Sequence, residues 1–367
     1  MTVTEITLHR VKLPLAVPYR VSYRVYEDFE PIIVEARDAD GRTGWGEGHI
    51  SPGYSDETVD GGWQFCREMA ERMVNQDTAA AKTIAKTGLA TNPVAATALI
   101  TALEMLEGSP LLDISGPARL DILTPFHATE AQAIEDETEE LLAQGYRTFK
   151  VKVGTDVDRD LARVAQVQTA LGGRATIRLD ANRGFSAADG VRFAAGLDAD
   201  GIELFEQPCG AKDWAANAEV AAASPVPVML DESIYGMDDI DRAGGTCGVG
   251  YVKLKLKKLG SIEGLRAGLE RIRELAMEPV LGDGVAADIG CWMEACVARE
   301  TITNAGEFNG FLKPTVALFT HPMAVTAGTL ELAAGFVPEI DRAALARTRL
   351  GFERFAPRRA GARTAPA

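Results

Sequence analysis

The chain has 367 residues, 46% of them hydrophobic, which suffices for one large domain or two ordinary ones with a substantial core. Its formal charge of −15 works against nucleic-acid binding, which requires a basic face, and no stretch approaches the roughly 18 to 20 apolar residues needed to span a bilayer. Five cysteines, Cys66, Cys209, Cys247, Cys291 and Cys296, are odd in number and lack zinc spacing, so they are expected as reduced core residues rather than a disulfide frame.

The opening stretch "MTVTEITLHRVKLPLA" alternates like a strand and lacks a charged segment followed by an apolar run, which predicts a cytoplasmic protein. "TEITLHRVKL" and "PIIVEARDADGRTGWGEG" alternate as strands, with Asp40 and Gly41 marking a turn. "DGGWQFCREMAERMV" and "AATALITALEMLEG" carry helical periodicity, so residues 1–115 are expected as an α+β block. The acidic balance reads as solubility, and the basic end "RRAGARTAPA" as a frayed tail.

From about Leu120 the pattern changes to short apolar runs, each followed by a helical stretch. The runs are "LDILTPFHAT", "YRTFKVKV", "ATIRLDAN", "GIELFEQP", "VPVMLDES", "YVKLKLKK", "EPVLGDG" and "NAGEFNG". Runs without polar alternation suit strands buried on both faces, as in a parallel sheet covered by helices such as "DVDRDLARVAQVQTALGG" and "SIEGLRAGLERIRELAM". Near the ends of the last seven runs stand Lys152, Asp180, Glu206, Asp231, Lys255, Asp283 and Glu307, spaced 24 to 28 residues apart, one βα unit per step. Eight units predict a (β/α)8 barrel with its active site at the C-terminal strand ends. A doubly wound open sheet would not need a charge on nearly every strand, and an ordinary core with scattered charges would not keep the spacing.

Asp180, Glu206 and Asp231 fall on three consecutive strands, where three converging carboxylates must protonate or bind a cation. Oxygen ligands without His or Cys favour Mg2+ over Zn2+. Singly, each could equally be a helix cap after a strand. Lys150 and Lys152 lie two apart and share a face, although "FKVKV" alone would also suit an edge strand with solvated lysines. On the sixth strand "KLKLKK" lets Lys253 and Lys257 share a face with Lys255, and Lys255 is chosen because its spacing from Asp231 fits the repeat. A metal beside opposed amines suits abstraction of a proton next to a carboxylate, with lysine as the base and the metal stabilising the charge that builds on the carboxylate oxygens.

These residues resemble the enolase superfamily, specifically its muconate lactonizing enzyme subgroup: Lys-x-Lys on the second strand, Asp, Glu and Asp on the third to fifth, and Lys on the sixth. A lysine base working with Mg2+ is the known arrangement there, so this mechanism comes with the resemblance. The resemblance implies an N-terminal α+β capping domain (1–115), a barrel (116–320), and a C-terminal segment (321–367), containing "GTLELAAGFVPEIDR", that returns to the capping domain. It makes Asp180, Glu206 and Asp231 the metal ligands, Lys152 and Lys255 the acid/base pair, and Lys150 a partner of the substrate carboxylate. "VPYRVSYRVYEDFEP" and "GHISPGYSDET" take the places of the two loops that close over substrate.

The His that the mandelate racemase subgroup carries on the seventh strand is missing, since His9, His49, His127 and His321 all lie elsewhere. The Asp-x-Asp of dipeptide epimerases on the eighth strand reads "GEFNG" here, which speaks against dipeptides. "GHISPGYS", "GCWMEACVA" and "GEFNGFLKP" resemble cis-3-hydroxy-L-proline dehydratases. In that substrate the α-proton and the hydroxyl lie on opposite ring faces, so one lysine could remove the proton while the other protonates the leaving hydroxyl. Asp283 and Glu307 would then either pair with the ring ammonium or hold other site residues by hydrogen bonds. The expectation is a lyase acting on a small carboxylate substrate, an amino acid, and compatible with a homo-oligomer. The alternatives are a racemase or epimerase of an amino acid, proline betaine or dipeptide, a cycloisomerase and, more distantly, a non-catalytic binding protein.

Overall fold

The computed structural model describes residues 1–21 and 24–357. The tail "RRAGARTAPA" and part of "VPYRVSYRVYEDFEP" lie outside the described residues.

The N-terminal block begins with strands β1 (Val3–Val11), β2 (Leu13–Val21), β3 (Arg24–Phe29), β4 (Ile32–Asp38) and β5 (Thr43–Gly48). Helices Val59–Met73, Thr78–Lys86 and Pro93–Glu107 follow. In β5 the sequence "TGWGEG" puts a glycine on one face at every second residue. A Cβ on Gly44 would stand 2.1 Å from Ala102 O, and one on Gly46 2.0 Å from Ala98 O, so only glycine lets helix Pro93–Glu107 lie directly on this strand. Ile6, Leu8, Ile32, Val34, Leu99 and Leu103 pack between sheet and helices as a core of this block.

A short strand β6 (Ala118–Asp121) leads to the parallel strands β7 (Thr124–Phe126), β8 (Thr148–Lys152), β9 (Thr176–Asp180), β10 (Ile202–Glu206), β11 (Val228–Leu230), β12 (Val249–Leu254) and β13 (Glu278–Leu281). They form one sheet in sequence order, curled into a TIM-type barrel with helices outside. Their burial is continuous rather than alternating, as two covered faces require. The chain ends with β14 (Ala324–Thr326), β15 (Thr329–Leu332) and β16 (Arg349–Phe355).

Three details differ from the sequence reading. The run "LDILTPFHAT" splits: β6 pairs antiparallel with β15, and only β7 enters the barrel. "NAGEFNG" makes no eighth strand but closes the gap with single bonds, Gly306 N to Asp121 O (2.8 Å) and Glu307 N to Leu281 O (2.9 Å). Both bordering strands carry a proline, Pro125 and Pro279, which has no N–H for a ladder. "GTLEL" joins β6 rather than the N-terminal sheet, which receives β16 instead, in the order β16-β1-β4-β5. Four cysteines are buried and free as expected, whereas Cys247 is exposed. Among the described residues no helix is long and apolar enough to cross a membrane.

Two glutamates join the block to the barrel. Helix Asp288–Thr301 starts at Ala287, which has no side-chain acceptor, and Glu47 on β5 supplies one by accepting bonds from Ala287 N (2.5 Å), Ile289 N (3.1 Å) and Gly290 N (3.0 Å). Glu104 accepts from Ile262 N (2.8 Å) at the start of helix Ile262–Glu274.

Candidate active site

Parallel pairing sets Lys152 opposite Asp180 and Asp180 opposite Glu206, one row across three strand ends. Period-two geometry puts Lys150 on the same side one step deeper, buried to 4% exposure. Its ammonium lies 2.8 Å from Asp180 Oδ2, 2.8 Å from Glu206 Oε2 and 2.9 Å from Glu307 Oε2. Lys253 reaches the same floor, bonding Glu307 and lying 3.4 Å from Glu206 Oε1. Burial alone would lower the Lys150 pKa, but Asp180, Glu206 and Glu307 reverse this and hold it well above the ordinary lysine value. Burial would raise Glu307, and Lys150 and Lys253 pull it far below the usual carboxylate range. Glu206 is raised by burial and by the charge of Asp180, against the pull of both lysines.

At the rim Lys152 donates to Asp180 Oδ2 (2.5 Å) and Asn182 Oδ1 (2.5 Å). Asn182 and Arg183 have φ of 42° and 70°, a left-handed turn that ends β9 and swings the Asn182 amide back over the strand end. Across the mouth Lys255 donates to Asp231 Oδ2 (2.8 Å) and to the Tyr54 hydroxyl (2.9 Å), which donates to Asp231 Oδ1 (3.1 Å). Lys258 adds a bond to Asp231 Oδ1 (2.7 Å), and burial pushes its pKa down to about 8. Burial would lower Lys255 as well, but Asp231 leads the charges that hold it well above the ordinary value. Gln207 ties the strand ends together: its carbonyl oxygen accepts from Asp231 N (3.0 Å) and Ser233 N (3.1 Å), while its amide donates to Ser233 Oγ (2.8 Å).

The N-terminal block covers the Lys255 side. His49 Nδ1 sits 2.6 Å from Val285 O, and Glu57 accepts from Val94 N (2.9 Å) and Ala95 N (3.0 Å), so the loop bearing Tyr54 is fastened at both ends. Tyr19, on β2, completes the roof. The cleft among these side chains holds about 40 Å3, room for water-sized groups, and a second cavity of about 440 Å3 opens above Lys152 between Tyr19, Phe126, Gly154 and Arg163.

Of the residues singled out from the sequence, Lys150, Lys152, Asp180, Asp231, Lys255, Asp283 and Glu307 line the smaller cavity, and Glu206 lies beneath it against Lys150 and Lys253. Asp283 is taken by Lys257 at 2.7 Å. Among the described residues no three His, Cys, Asp or Glu side chains stand in the geometry of a cation cage. Asp180 turns to Lys150 and Lys152, and Asp231 to Lys255 and Lys258. The donor set still suits a hard divalent cation: it is all carboxylate oxygen, and the buried Glu206 Oε2 has no hydrogen-bond partner although Lys150 is near.

Sequence reasoning missed Tyr54, Asn182, Glu232 and Lys258. Asn182 and Glu232 stood beside chosen residues in "RLDAN" and "LDES", and burial with the neighbouring Asp231 and Asp180 pushes Glu232 up to about 7.

A TIM-type barrel with lysines and carboxylates gathered at its strand ends is the architecture of an acid/base enzyme. Residues 133–343 match the family model described as Enolase C-terminal domain-like, and the chain belongs to the enolase superfamily. It is 29% identical to an aromatic dipeptide epimerase of Herpetosiphon aurantiacus, over 90% of this chain and 96% of that one. It is 30% identical to an o-succinylbenzoate synthase of Geobacillus stearothermophilus, over 82% of this chain and 80% of that one. The structure of a dipeptide epimerase from Cytophaga hutchinsonii, complexed with Mg and the dipeptide D-Ala-L-Val, superposes with a TM-score of 0.86 at 20% identity, covering 97% of this chain and 100% of that one. This last likeness concerns the fold. The chain is an enzyme of the superfamily, an isomerase or a lyase.

Proposed function

We propose that the protein moves a proton at the carbon next to the carboxylate of a small amino-acid-derived substrate, inverting that centre as a racemase or epimerase. The observation that carries this is the pair of lysines at opposite edges of one carboxylate cluster, Lys152 on Asp180 and Lys255 on Asp231. The epimerase among the relatives supports inversion over the dehydration that the sequence segments suggested.

Asp180, Glu206 and Asp231 would hold Mg2+, which supplies positive charge against the negative charge that builds on the substrate carboxylate as its α-proton leaves. In one direction Lys152 removes the proton from the near face and Lys255 returns one to the far face; in the other the roles exchange. Lys255, kept as an ammonium by Asp231, is in the donor form. Lys150 adds fixed positive charge at the cavity floor, while Asp283 and Glu307 orient Lys257, Lys150 and Lys253. Tyr19 and Tyr54 keep bulk water away. The division of the chain at about residues 115 and 320 into capping domain, barrel and C-terminal segment belongs to the same proposal.

Dehydration of cis-3-hydroxy-L-proline is the second reading. Its support is the eighth barrel position, where the only carboxylate in "GEFNG", Glu307, is already taken by Lys150 and Lys253 rather than facing a dipeptide ammonium. The test is incubation with Mg2+ and a panel of amino acids, hydroxyprolines, betaines and dipeptides in D2O, followed by NMR. Deuterium at the α-carbon with inversion is expected. Loss of water from cis-3-hydroxy-L-proline selects the second reading, and no exchange with any member overturns both.

A further inference from the structure

Lys152 and Lys255 differ in what fixes their reach. The Lys255 side chain is 9% exposed and packed beneath Tyr54, whereas that of Lys152 is 37% exposed. Its ammonium meets Asp180 Oδ2 and Asn182 Oδ1, and the position of its main chain sets how the side chain reaches them. That main chain is held by Arg163, from the second turn of helix Val157–Leu171. Its guanidinium donates to Lys152 O (2.9 Å), Phe126 O (3.2 Å) and Ala128 O (2.9 Å), the carbonyls that end β8 and follow β7.

We propose that Arg163 is a positioning residue for Lys152: it clamps the two strand ends and so fixes the face of the substrate that Lys152 serves. A half-buried cation spent on three neutral carbonyls is costly, and burial lowers its pKa, with Asp160 and Glu137 as the opposing charges. The planar fork is what the arrangement uses, because one guanidinium can meet several carbonyls at fixed angles while a lysine ammonium offers no such template.

The surroundings leave little slack. Asp160 Oδ2 accepts from Gly154 N (2.8 Å) and Thr155 N (3.0 Å), and Glu137 accepts from His127 N (3.0 Å) and Ala128 N (2.6 Å). Gly154, at φ 105°, packs so closely on the next turn that a Cβ would come within 2.7 Å of Ala181 O. Removing Arg163 therefore takes away the side-chain donor that ties the Lys152 carbonyl to those of Phe126 and Ala128.

The proposal rests on the acid/base role given to Lys152, and its test separates the two. Lysines are reductively methylated with 13C-formaldehyde, and the Lys152 dimethyl resonance is assigned by its loss in Lys152→Arg. In Arg163→Met this resonance shifts and broadens while that of the surface residue Lys212 does not, and Arg163→Lys lies between; if the Met variant does not fold, the Lys variant decides. An unchanged Lys152 signal overturns the proposal with or without a substrate. With the two epimers of a panel member that the wild type exchanges, Arg163→Met should slow α-proton exchange at the Lys152 face roughly 10- to 100-fold and leave the Lys255 face within about threefold. Equal slowing at both faces overturns it. If the wild type exchanges no panel member, the proposed function fails while the methyl signal still decides the clamp.

Discussion

Lys152 and Lys255 both end on aspartates of one cluster, yet the barrel supplies the hydrogen-bond partners of the first ammonium, whereas the N-terminal block adds one to the second. Lys152 is anchored by Asp180, Asn182 and its own strand, and faces the wider cavity. Lys255 is shut in by Tyr54, which crosses from the other block to touch both Lys255 and Asp231. The partners of the Lys152 ammonium thus come with the barrel, and those of Lys255 depend also on a loop held by His49 and Glu57. Chemistry at the first edge should report on the barrel, and chemistry at the second on the joint between the two blocks.

The strongest challenge to this contrast removes what both edges share. Exhaustive chelation should abolish turnover, Mg2+ should restore it, and Glu206→Gln should weaken metal binding severely, as read by calorimetry. Full activity in a verified metal-free preparation would refute the shared site. Next in size, Lys152→Ala and Lys255→Ala should each lower turnover by about two to four orders of magnitude, with exchange in D2O surviving at the opposite face. If Lys255→Ala leaves turnover intact, Lys253 takes its place on the sixth strand.

Tyr54→Phe keeps the ring over Lys255 but deletes the hydroxyl. A hydrogen bond to a charged group is worth about 1.5 to 3 kcal/mol, so exchange at the Lys255 face should fall roughly 10- to 100-fold while the Lys152 face changes little. Equal effects on both faces would erase the contrast.

The smallest effect concerns the joint itself. Burial pushes Glu47 up to about 7 against its N–H donors, and Glu104 likewise. For an acid whose folded pKa is raised, the favourable contribution is complete below the unfolded value near 4.5 and is lost as pH rises through about 7. The melting temperature should therefore drop by a few degrees between pH 5 and 8, and Glu104→Gln should flatten part of that slope. A melting temperature rising across this range would show both carboxylates already ionised.

The barrel was legible because strands covered on both faces read as unbroken apolar runs, and because a charge ended nearly every one. The site residues were legible from that same register, which is why Lys152, Asp180 and Glu206 fall in one row. Tyr54 was not, because its partner Asp231 lies 177 positions away and no local pattern marks a tyrosine in a turn. Nor could spacing separate Lys253 from Lys255: both point inward, one to the floor and one to the rim. The missing eighth strand was hidden because "NAGEFNG" has the position but neither the β-branched residues nor the proline-free neighbours of a ladder strand.

That unfinished stave has a mechanical side. The segment around Glu307 is joined to β13 and the β6–β7 link by a few single main-chain bonds, with Asn309 Nδ2 reaching Leu123 O as a side-chain strut. No strand ladder holds this segment in place, so side-chain fit does: a Cβ on Gly306 would meet the Phe308 ring at 2.1 Å, one on Gly310 would meet Ala286 O at 2.0 Å, and Glu307 is tied to Lys150 and Lys253. It is a keystone rather than a stave, kept in place by what it touches.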